Sequence, residues 1–67
     1  MTQLQADICR FFAGYSFDAN RTREISDVHV SPVQRAALRE RLETCRRYDI
    51  PARRPHAARL IAQVDAL

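Results

Sequence analysis

Four residues in this chain, Gly14, Pro32, Pro51 and Pro55, limit helices by their covalent structure, and their positions decide what the rest can fold into. Proline lacks the amide hydrogen that a helix interior needs and disfavours helix for the residue before it, yet at the first helical position it is well suited. Ser31-Pro32 therefore reads as a helix start, with Ser31 as the cap, Pro32 as first residue and Gln34 completing a capping box. No proline or glycine follows until Pro51, so a helix is predicted over 32–48, broken by the segment from Asp49 to Pro55. A further helix is predicted over about 55–66. Upstream, Thr2 and Gln5 form another capping-box pattern and Gly14 stands where a helix would end, which predicts a helix over about 2–14.

The apolar spacing agrees with these limits. Leu4, Ile8, Phe11, Phe12 and Tyr15 recur on one side of the first segment. The second carries a main stripe of Leu38, Leu42 and Cys45 and a strip of Val33, Ala37 and Tyr48 beside it, with Arg41 projecting between the two. An arginine there must snorkel, pair with an acid or sit at an interface, because burying its charge unpaired is costly. The last segment presents Ala57, Leu60, Ile61, Val64 and Leu67 on one face. Such faces satisfy themselves by packing together, so the expected fold is all-α, one small three-helix domain spanning 1–67. Residues 16–30 fit least well: the β-branched Ile25, Val28 and Val30 favour a short strand over 25–30, but their spacing is not a clean alternation, and a loop or a single helical turn fits equally well. Phe11 and Phe12 are adjacent and cannot both point to the centre of one core; core packing is expected, and an exposed ring would become a partner anchor.

A chain of 67 residues buries only about 60% of the surface it exposes when unfolded, which leaves a thin stability margin and room for partner- or dimer-assisted folding. No apolar run approaches the roughly 18 to 20 residues of a bilayer span, and the first residues lack the pattern of a secretory signal, so a cytoplasmic protein without membrane attachment is expected. Cys9 and Cys45 read as small buried hydrophobes; combined with His29 and His56 they show no metal-ligand spacing, and no cofactor is expected. There is no motif placing a nucleophile beside a base and no glycine-rich phosphate loop, so catalysis is not expected.

Charge carries the functional expectation. All eleven basic residues are arginine, which reflects either selection for forked contacts or a GC-rich genome. Residues 1–33 sum to −1, residues 34–59 to +5 and residues 60–67 to −1. Arg35, Arg39 and Arg46 form a row beside the Leu38 and Leu42 stripe, while Arg53, Arg54, His56 and Arg59 surround the start of the last helix, where free amides favour an anion. A solvated helix face is the plainer reading of the first group. With Arg41, these arginines are the expected partner-binding residues of a small regulatory or inhibitory protein docking on an acidic surface of a larger protein. The size would suit a phage or mobile-element inhibitor. The alternative is a nucleic-acid-binding transcriptional regulator, as a homodimer, using the same arginines on phosphates.

The stretch from Ile25, with its strand-like residues, Ser31-Pro32 and two helices, faintly resembles a ribbon-helix-helix DNA-binding domain over about two thirds of the chain. The resemblance implies dimerisation through that strand and base reading by its side chains. Glu24 and Asp27 depart from it by setting negative charge where DNA would approach, and a proline-bearing segment replaces the small turn between the helices. A helix-turn-helix reading meets a longer connection than the usual three or four residues, and a final helix with only Arg59 and Gln63 as base-reading side chains.

Overall fold

Short polar side chains that accept an otherwise unpaired backbone N–H set the starts of three of the described helices. The computed structural model describes residues 1–15 and 18–67, and in them the helices are α1 (Gln3–Phe11), α2 (Ala19–Ser26), α3 (Pro32–Tyr48) and α4 (Arg54–Asp65). Thr2 and Gln5 form the complete capping box of α1. Asp18 accepts the Arg21 N–H at 2.7 Å to start α2, and Ser31 accepts the Gln34 N–H at 3.3 Å to start α3. The start of α4 has no side-chain cap and relies on Pro55 in its first turn.

α3 spans the predicted residues, and α4 lies within one residue of its predicted bounds. α1 is shorter than predicted: it stops at Phe11, and the backbone turns over residues 12–15, with Gly14 at a φ of +96° that a side chain would disfavour.

The three-helix count is corrected by α2, and where the sequence leaves a short strand, a loop or a single helical turn open over 16–30, residues 18–30 hold this helix and the turn after it, residues 16 and 17 lying outside the described residues. Among the described residues that stretch contains no strand. Ile25 and Val28 are three apart, and both are buried, Ile25 from the last turn of α2 and Val28 from the turn that follows. Val30 is exposed. The absence of a strand also removes the dimerising and base-reading element on which the ribbon-helix-helix resemblance depends. Five residues, 49–53, connect α3 to α4.

The core is continuous across all four helices: Ile8, Phe11 and Phe12 from the first, Ile25 and Val28 from the second and its turn, Leu38 and Leu42, then Ala57, Leu60, Ile61 and Val64. Both phenylalanines are buried despite being adjacent, because Phe12 is the cap just past the end of α1, where the backbone leaves the helix (φ −87°, ψ 0°). Phe11 meets His56 of α4 edge-on at 5.1 Å, while Phe12 lies beneath the Arg21 guanidinium of α2 at 5.3 Å. The second strip on α3 is not core: Val33 and Tyr48 are both more than three-quarters exposed. Among the described residues no helix is long and apolar enough to cross a membrane.

Candidate functional site

The last carbonyls of a helix lack intrahelical partners and carry the negative end of its dipole, so a cation nearby is stabilising. This chain uses arginines there. Arg53 donates Nη2–H to the carbonyl of Phe11, the last residue of α1. Arg35 donates Nε–H to Val28 O at 2.9 Å and Nη2–H to His29 O at 3.4 Å, in the turn after α2. Arg54 donates Nε–H to the carbonyl of Asp49, the residue that closes α3, at 2.7 Å. Each arginine comes from later in the chain than the carbonyls it serves, which for Arg53 and Arg54 are at a helix end and for Arg35 in the turn beyond one.

Other expected site arginines are ion-paired. Arg39 grips Asp65 of α4 through two bonds, Nε–H to Oδ1 at 2.7 Å and Nη2–H to Oδ2 at 3.2 Å. Arg41, which had to find an acid or an interface, donates to Glu24 of α2 at 2.7 Å; Glu24 is buried to 4% exposure. Arg46 and Arg47 both donate to Glu43, whose carboxyl is held down at about 2 chiefly by the Arg46 hydrogen bond and then by Arg47. Two of these carboxylates, Glu24 and Asp65, lie outside residues 34–59, so part of that region's excess charge is met from elsewhere in the chain.

Asp49 organises the connection between α3 and α4. Its carboxylate accepts the Tyr15 hydroxyl at 2.7 Å, Arg53 Nε–H at 2.9 Å and the Ile50 N–H at 2.8 Å. The Tyr15 bond first, and then Arg53, hold it at about 2, below the ordinary aspartate value. The same hydrogen bond raises the Tyr15 phenol. The Arg53 guanidinium also lies 4.2 Å from the Phe11 ring centre and 5.2 Å from that of Tyr15.

On the outer surface the balance differs. Arg46 and Arg47 share one carboxylate, Arg54 touches only a carbonyl, and Arg59 stands on the exposed side of α4 with no polar partner among the described residues. Between them in sequence are Tyr48, 77% exposed, and Ile50, 61% exposed, followed by exposed Pro51 and Ala52. Sequence reasoning assigned Tyr48 to a helix strip and overlooked Ile50. The available signal was an isolated aliphatic residue held between Asp49 and Pro51, where no helical face can claim it.

The remaining polar candidates are scattered. A groove of about 490 Å³ between α1 and α2 is lined by Met1, Gln5, Cys9, Thr22, Ile25 and Ser26, with no charged side chain among them. Thr2 Oγ1 lies 2.8 Å from His29 Nε2, yet that hydroxyl already caps α1. Burial raises the pKa of the Cys45 thiol above its ordinary value. No family model, curated protein or solved structure matches this chain.

Proposed function

We propose that this is a small non-enzymatic binding protein, regulatory or inhibitory, that docks on an acidic surface of a larger protein. The observation supporting this reading is the set of arginine charges near the α3–α4 connection that, among the described residues, exceeds the carboxylates bonded to them: Arg46 and Arg47 on one glutamate, Arg54 on a carbonyl, Arg59 on none. Arg39, Arg41 and Arg53 have structural duties and belong to the scaffold of this reading, not to its contact surface. A protein partner is favoured over nucleic acid because Glu40, Glu43 and Asp65 interleave with the arginines of α3 and α4 and break the positive surface into short patches, which suits the discrete carboxylates of an acidic protein surface better than the unbroken charge of a phosphate backbone.

The test is affinity capture from lysate with and without nuclease, using wild type and a variant with Arg47, Arg54 and Arg59 all changed to Gln. The expected result is a nuclease-resistant protein partner, lost from the variant. A partner lost on nuclease treatment, with affinity falling by about one log unit per log unit of salt for each phosphate contacted, would establish the nucleic-acid reading instead. Equal capture by the variant would dismiss the surface.

A further inference from the structure

A docking point gains most from apolar side chains that are exposed yet already fixed, since binding then costs little conformational freedom. The outer side of the α3–α4 connection has this property. All four backbone polar groups of Asp49 and Ile50 are engaged: Asp49 N–H with Cys45 O, Asp49 O with Arg54, Ile50 N–H with the Asp49 carboxylate, and Ile50 O with Arg53 N–H. Pro51 fixes the next φ angle. Tyr48 and Ile50, two residues apart and so within about 7 Å at their Cα atoms, are thus held in solvent on a locked backbone.

Resting on the reading above, we infer that this turn is the docking point: Tyr48 and Ile50 are its apolar anchors, Arg47 and Arg54 its charged rim, and its occupant is an acidic segment of another protein whose own apolar side chain is flanked by carboxylates. Tyrosine and arginine are the residue types that most often dominate interface energetics. The charge selects the occupant. A second copy of this chain would bring arginines against arginines. An anionic bilayer offers the right sign, but a full myristoyl chain gives only marginal membrane binding and these two side chains bury less. The other exposed apolar pair, Val30 and Val33, lacks the same selectivity, because Asp27 and Asp65 accompany Arg35 and Arg39 at that end of α3.

The experiment is a titration of the ¹⁵N-labelled full chain with a synthetic amphipathic peptide bearing leucines on one face and glutamates on the other, followed by amide shifts. Saturable shifts centred on residues 46–54 are expected. Ile50→Ser should weaken binding on the order of tenfold. Arg54→Gln, which keeps a donor for the Asp49 carbonyl while removing the charge, should weaken it several-fold. Both variants should retain the helical circular dichroism of wild type; if Ile50→Ser does not, Tyr48→Ser replaces it. Shifts clustered on Arg59 and the outer side of α4 would overturn this docking point while leaving the broader reading intact. Absence of saturable shifts at about millimolar peptide would end both. Sedimentation with phosphatidylserine vesicles that depends on Ile50, without any peptide response, would transfer the surface to a lipid partner and overturn the inference.

Discussion

Arg53 and Arg54 are neighbours in sequence and meet different surroundings, the first half-buried and the second exposed. Arg53 faces inward, where one guanidinium bonds Asp49, bonds the end of α1 and stacks over Phe11; Arg54 faces outward and meets a single carbonyl. The inner side converts positive charge into connection between helices distant in sequence. The outer side leaves charge uncompensated beside apolar side chains. Composition does not separate the two: what separates them is whether a carboxylate or helix end lies within reach, and only the fold decides that.

The sharpest way to break this contrast is Arg53→Ala. It strips Asp49 of its principal cation, leaves the Phe11 carbonyl without its donor and removes a guanidinium that is mostly buried, so a loss of about 3 kcal/mol in urea unfolding is expected. Arg53→Lys keeps the charge but not the fork, and should recover less than half of that loss. Arg54→Ala, one residue on, should cost no more than about 0.5 kcal/mol. Similar losses for the two would show that the turn has no distinct inner side.

Glu24→Ala tests the second inward use of arginine. The carboxylate is buried but the Arg41 side chain keeps 36% exposure and can rehydrate when its partner goes, so the cost should be about 1 to 2 kcal/mol, below the 3 to 5 typical of a fully buried broken pair. The same measurement on Asp65→Ala, whose pairing with Arg39 is solvent-exposed on both sides, should give about 0.5 kcal/mol or less.

These pairs explain which parts of the molecule were legible beforehand. α3 could be read because its signals are local: Ser31, Pro32 and the prolines after Tyr48 act through covalent geometry and bonds spanning three or four residues. α2 was not. Its cap Asp18 is followed by a polar segment with one buried aliphatic residue, Ile25, so no apolar period announces it and β-branched residues suggested a strand. The fate of the arginines was equally hidden. Arg41 finds Glu24 17 positions away, Arg39 finds Asp65 26 positions away, and Arg53 reaches Phe11 across 42, whereas counting charge within a region credits only near neighbours. Carbonyl caps leave no sequence trace, because their acceptors are backbone atoms that every residue carries.

Acid provides a finer probe of the inner side. Asp49 sits at about 2 against an ordinary 3.8, and Glu43 at about 2 against 4.5. A carboxyl whose folded value is depressed contributes stability that is present above its unfolded value and is lost as pH falls through the folded one. The melting temperature should therefore decline from about pH 4.5 and flatten below about 2. Tyr15→Phe removes the bond that contributes most to the Asp49 shift, so its melting temperature should depend less on pH across this window. An unchanged slope would mean that Asp49 is not held by Tyr15 in solution.

The smallest expected effect is also the most telling for the outer side. Ile50 and Tyr48 are exposed and surrender no core contact, so Ile50→Ser and Tyr48→Ser should leave unfolding free energy within about 0.5 kcal/mol of wild type. If either substitution proves strongly destabilising, the side chain is packed in solution and the outer side is an extension of the core; if stability is unmoved while binding to an acidic segment is lost, the two sides of one turn have separate duties, one holding the helices and the other engaging a partner.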